Sequence, residues 1–159
     1  MKFNYYAFRA MYFHEMDRFK RTLMQSLFSP VLSTSLYFIV FGSVIGGYVE
    51  KIDGISYGSF IVPGLLMLTL LTQSISNTSF GIFFPKFNGT MYEILAAPIS
   101  TFEIVLAFVG AGATKTLIVG VVIFITSTFF VEVSVMYPFL MIFLLVLVAF
   151  TFALFGFLI

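Results

Sequence analysis

Four stretches of this chain carry no charge, or only one. Residues 22–49, 54–85 and 133–159 hold no Asp, Glu, Lys or Arg, and residues 104–131 hold only Lys115. A helix needs about 20 mainly apolar residues to cross a bilayer, so each stretch is long enough. Charged residues make up 9% of the whole, far below the roughly 25% of soluble domains. Runs such as FLMIFLLVLVAF do not alternate apolar with polar, which excludes the strands of a membrane barrel. Hydrocarbon cannot satisfy free backbone N–H and C=O groups, so continuous apolar runs mean helices. The expected fold class is therefore an all-α integral membrane protein.

Charge position sets the orientation. Lys2, Arg9, Arg18, Lys20 and Arg21 precede the first run, and Lys86 and Lys115 follow the second. The connection EKIDGIS between them has one cation, Lys51, against two acids. Cationic connections stay inside, which puts the N-terminus and the 86–103 connection in the cytoplasm. The spans are expected at 30–49, 57–84, 113–131 and 137–159. Residues 1–26 mix these cations with Phe3, Tyr6, Phe8, Met11, Phe13, Met16 and Phe19. Such a mixture suits an amphipathic helix in the lipid headgroup layer, with a loose basic tail as the alternative. No apolar core with a small-residue cleavage site follows the first charges, so no cleavable leader is expected.

Within the spans, Ser29-Pro30 reads as an N-cap and first helical position. Gly42 and Gly46 form a GxxxG, either a close-approach site for another helix or a loosened exit into the loop. Pro63 is expected to kink the second span. Thr69, Gln73, Ser76 and Asn77 share one of its faces, serving inter-helix hydrogen bonds or a transport path. Gly112, Thr116 and Gly120 give the third span a small-residue face for close packing. Lys115 would be costly at the bilayer centre and is expected to snorkel to phosphates, with residues 101–112 continuing the helix along or below the inner surface. The last run ends at Ile159 without polar closure, as expected of the first part of a longer chain.

Several chemistries are excluded. GAGATKT (110–116) lacks the glycine spacing of a phosphate-binding loop and lies in an apolar helix. His14-Glu15-Met16-Asp17 has no second ligand cluster and reads as a solvated face, so no metal site is expected. The sequons at Asn77 and Asn88 fall in a span and on the cytoplasmic side, where they stay unmodified. There is no cysteine. No catalytic constellation or proton-relay pair of acids is found within the spans, so an energy source must lie on another chain. No nucleic-acid partner is expected.

The 86–103 connection, KFNGTMYEILAAPISTFE, is the most structured segment outside the spans. Thr90 with Glu93, and Ser100 with Glu103, each fit a capping box, in which the hydroxyl and the acid satisfy two orphan N–H groups reciprocally. Asn88-Gly89 supplies a turn and Pro98 a stop, leaving a short helix at 91–97. Ile94 and Leu95 give it an apolar side and Tyr92 with Glu93 a polar one. Seven residues are not stable alone in water, so this helix must rest on something.

The chain resembles the membrane-spanning subunit of the ABC-2 class of ATP-driven exporters. The residues carrying the likeness are the N-terminal segment with Arg18 and Arg21, FGSVIGG (41–47), SYGSFIVPGLLML (56–68), KFNGTMYEILAAPIS (86–100) and GAGATK (110–115). The resemblance implies a six-span fold of which this chain supplies an N-terminal interfacial amphipathic helix plus four transmembrane helices. It implies that 91–97 is a coupling helix docking on a separate ATPase subunit through Tyr92, Glu93, Ile94, Leu95 and Pro98, rather than a connector resting on the membrane. ATP and Mg would bind that partner, with no cofactor on this chain. Two permease copies would pair, with Gly42, Gly46, Thr69, Gln73, Ser76, Asn77, Gly112 and Gly120 lining the path or the subunit interface. The implied place is the inner membrane of a bacterium. The alternative is a non-transport scaffold or assembly protein of the same fold.

Overall fold

Asn4 starts the first helix by accepting from the Ala7 N–H at 3.2 Å. In the computed structural model, which describes residues 3–45, 57–131 and 135–159, this helix, α1, runs Tyr5–Arg21. Helix α2 follows at Leu23–Tyr37 and continues as a π-helix over Phe38–Ile45. Then come α3 (Tyr57–Phe87), a short α4 (Thr90–Ala96), α5 (Thr101–Phe130) and α6 (Pro138–Leu158). Among the described residues, four helices are long and apolar enough to cross a membrane. No strand is found among the described residues. Gly46, the outer acids Glu50 and Asp53, and Glu132 lie outside the described residues, and Gly42 falls within the π-helix.

Three local expectations change. The chain breaks at Thr22, whose N–H bonds Arg18 and Phe19 carbonyls, and not at Ser29-Pro30. Pro30 lies buried inside α2. A proline removes one N–H but is tolerated in a membrane helix, and nothing else in the uncharged LMQSLFS stretch stops helix growth. Thr90 is the first residue of α4 rather than its cap. Gly89, at φ 78°, ends α3 by donating to the Lys86 carbonyl and begins α4 by accepting from Tyr92. A left-handed turn there needs glycine and leaves no room for a separate capping residue. The short helix is thus 90–96, and it ends because Ala97, preceding Pro98, is extended at φ −71° and ψ 151°. The second span also runs on through Pro85 to Phe87.

The second capping box forms as expected. Ser100 Oγ accepts from Glu103 N at 3.3 Å, and Glu103 Oε2 accepts from Ser100 N at 2.9 Å. Replacing Ser100 by alanine is expected to lower stability by about 1 kcal/mol, measured as a fall in the denaturation midpoint of the detergent-solubilised protein.

Helix α5 is the centre of the bundle. Over half of its most apolar window is buried (56%), against 17–28% for the other three spans. It carries residues 101–112 and the membrane-embedded part as one unbroken helix. Span α3 packs against α5 and α6 along a stripe stepping by four, Val62, Leu66, Leu70, Ser74 and Thr78. Small residues stand against α3: Gly112 and Gly120 on α5, and Ala149 and Gly156 on α6. Small side chains let the backbones approach and expose carbonyls to donors. Ser74 Oγ donates to the Ala149 carbonyl at 2.6 Å and Ser79 Oγ to the Gly156 carbonyl at 2.8 Å.

Candidate functional site: coupling surface and membrane cleft

Two features stand out. The first is α4. Its inward face is Met91 and Ile94, which pack on Ile82, Ile104 and Phe108 at the inner ends of α3 and α5. Its outward face holds Tyr92 (78% exposed), Leu95 (61% exposed) and Glu93. Ile94 therefore anchors the helix to its own chain and does not belong to the outward face, where Leu95 is the large aliphatic residue. The helix geometry decides this, since residues 91 and 94 lie one turn apart on the face turned to the bundle. Pro98 is also exposed. Phe87 just before α4 and Phe102 just after it are exposed at 76% and 67%. Large exposed apolar side chains grouped around one short helix mark an interaction surface. Phe87 and Phe102 escape the reading of the sequence, although aromatic residues on both flanks of a capped helix are a usable signal.

The second feature is a cleft of about 280 Å³ between α2 and α3. From α2 it receives Ser29, Ser33, Thr34 and Tyr37, and from α3 Thr69, Thr72 and Gln73. Pro30, Leu65 and Leu68 complete its walls, and among the described residues none of those lining it is charged. It exists because α2 packs on α5 and scarcely touches α3, whereas the π-helix above closes onto α3. Thr34, Thr69 and Thr72 donate to carbonyls of their own helices, at 2.7, 2.8 and 3.0 Å. Their oxygens keep acceptor capacity toward the cleft.

The four-residue polar face of the second span thus divides. Thr69 and Gln73 reach the cleft. Asn77 instead donates to Thr116 Oγ1 on α5 at 3.3 Å, and Ser76 is exposed away from the cleft. Gly112 and Gly120 are consumed by packing inside the chain. Thr78 Oγ1 fills the place of a Gly112 Cβ, and Leu70 Cδ2 would meet a Gly120 Cβ at 2.7 Å. Buried in this way, the two glycines have no surface to give to a second copy.

Lys115 does not snorkel, and Glu15 is not on a solvated face. Both are buried, with Lys115 Nζ 2.7 Å from Glu15 Oε2. Helix α1 lies against α5 and covers the lysine, cutting its route to lipid phosphates, and a paired cation is far less costly there than a bare one. His14 and Asp17 on either side are exposed, as expected. Lys115 of α5 and Glu15 of α1 therefore form a buried ion pair between a span and the N-terminal helix, not a relay of acids within the spans.

The family model for the ABC-2 type transporter matches residues 6–159. The chain belongs to the ABC-2 type transporter family. Among curated proteins, the inner membrane transport permease YadH of Escherichia coli K12 is 38% identical over 129 residues, 81% of this chain and 50% of that protein. The YadH permeases of Escherichia coli O157:H7 and Shigella flexneri match to the same extent. The chain spans about half the length of these curated relatives. No solved structure matches it. Among the described residues, this part of the family fold supplies four helices long and apolar enough to span a membrane. Within that ABC-2 frame, α4 falls on the connection between the second and third spans.

Proposed function

We propose that the chain is part of the membrane-spanning subunit of an ATP-driven exporter of a bacterial inner membrane. It works as a pair of permease copies, each docked through α4 on a separate ATPase subunit that binds ATP and Mg. The observation that carries this reading is the division of α4. Met91 and Ile94 fasten it to the inner ends of α3 and α5, while Tyr92, Glu93 and Leu95 face outward on a helix too short to stand alone. A partner pressing on that outward face would move the ends of two spans together, and closure of a partner domain is a common source of such rigid displacement. The uncharged, hydroxyl-lined cleft between α2 and α3 is the part of the path this chain supplies, with Thr69 and Gln73 among its walls.

The test is co-purification of the full-length permease with an ATP-binding-cassette ATPase subunit expressed with it. Leu95→Asp and Glu93→Arg should each weaken association at least tenfold, about 1.4 kcal/mol. Tyr92→Ala should act in the same direction, because exposed aromatic anchors dominate interface energies. Undiminished association in all three variants would sink the docking assignment and favour a scaffold that needs no ATPase. Ile94→Asp is not a docking test, since it places a carboxylate against Ile82, Ile104 and Phe108.

A further inference from the structure

Glu15 ties three helices together. Its Oε2 accepts from Lys115 Nζ of α5 at 2.7 Å and pairs with Arg18 Nη2 at 3.0 Å. The Arg18 guanidinium in turn lies 5.5 Å from the ring centroid of Phe84 on α3. The same carboxylate also lies against α3, since a Cβ on Gly81 would be in ordinary contact with Glu15 Oε2 at 3.5 Å. Further along α1, the Tyr12 hydroxyl donates to Thr114 Oγ1 at 3.0 Å, and the Asn4 N–H donates to Glu103 Oε1. The partners advance together, 4 with 103, 12 with 114 and 15 with 115. Helix α1 therefore runs along the inner part of α5 in the same chain direction.

Helix α4 joins this body, because Met11 of α1 packs on the same Ile82, Ile104 and Phe108 cluster as Met91 and Ile94. Only Thr22 separates α1 from α2, and α2 is one wall of the cleft. A role in stability alone would not need charges here, since well-packed apolar residues often replace a buried ion pair without loss. Short charge-assisted hydrogen bonds add directional resistance, which apolar contacts that slide past one another do not.

We propose that Glu15, Arg18 and Lys115 are positioning residues that fasten α1 to α5, so that a push on α4 carries α1 and, through Thr22, the α2 wall of the cleft. The proposal rests on the exporter reading above and adds the route by which movement reaches the path.

The experiment uses the full-length permease with its ATPase, in a background lacking other cysteines, with spin labels at Ser33 and Leu68 on the two walls. ATP with vanadate should shift the spin–spin distance in the parent complex. In Glu15→Met/Lys115→Met the shift should be lost, although the ATPase still co-purifies, and Lys115→Arg should keep it. A full shift in the double variant overturns the proposal, and so does a parent complex that shows no shift. Failure of the parent to hold its ATPase would instead show in the co-purification and remove the exporter reading itself. A second measurement does not depend on the double variant folding. Cross-linking Tyr12→Cys to Thr114→Cys with a short bis-thiosulfonate should leave ATP hydrolysis by the complex within about twofold of the unlinked rate, because α1 and α5 move as one. Tenfold inhibition by that link overturns the proposal.

Discussion

Glu15→Met in the full-length protein is expected to lower stability by about 3–5 kcal/mol, and adding Lys115→Met is expected to recover most of the loss. Glu15 and Lys115 are each only 4% exposed at the side chain, and their separation is 2.7 Å. Removing the acid strands a buried ammonium whose ion pair among the described residues is with Glu15 alone. Removing the lysine is milder, because Arg18 still pairs with the carboxylate at 3.0 Å. The order of stability should therefore be parent, then the double variant close to it, then Lys115→Met, then Glu15→Met. Titrating purified protein with denaturing detergent, and reading loss of helical signal, measures all four corners of the cycle. Additive losses in the double variant would mean that the two side chains act independently, which their geometry forbids.

The spans are legible in the sequence because their signal is length without charge, and length is a property of one segment at a time. The Ser100–Glu103 box lies within four residues, so it too is local. What escapes the sequence is pairwise and distant. Lys115 alone announces that a partner is needed. Nothing in the neighbouring residues says that the partner is Glu15, 100 positions earlier, rather than a lipid phosphate. The two readings differ only in whether α1 covers that part of α5, which is a fact of packing. Pro30 misleads for a different reason. A proline in an apolar run fits the start of a helix and its interior equally well, and the bundle tolerates the interior. At α4 the capping pair Thr90–Glu93 has the right spacing, but Gly89 in its left-handed turn already performs the start. Helical spacing puts Thr69, Gln73, Ser76 and Asn77 toward one side of the second span. The 100° between successive residues nevertheless sends Asn77 to α5, while Thr69 and Gln73 line the gap beside α2.

The other large effect is expected at a residue whose importance is invisible without its neighbour. Gly156→Val should destabilise the protein by about 1–3 kcal/mol through overpacking, with about 0.6 kcal/mol more for each inter-helix hydrogen bond that lengthens. A Cβ on Gly156 would stand 2.6 Å from the Ile75 carbonyl oxygen and 2.9 Å from the Ile75 Cα. These are backbone atoms, so no side chain can rotate away, and α6 must move off α3. That movement stretches the bond from Ser79 to the Gly156 carbonyl first, then the one from Ser74 to the Ala149 carbonyl two turns away. Gly112→Ala is the informative contrast. Its Cβ meets chiefly the Thr78 hydroxyl, which has no hydrogen-bond partner among the described residues and can turn aside. The alanine should therefore cost less than Gly156→Val despite lying in the more buried helix. Thermal inactivation of the two variants, read by size-exclusion after heating, ranks them directly. If Gly112→Ala proves the worse, the α3–α5 contact rather than the α3–α6 contact sets the stability of this half of the permease.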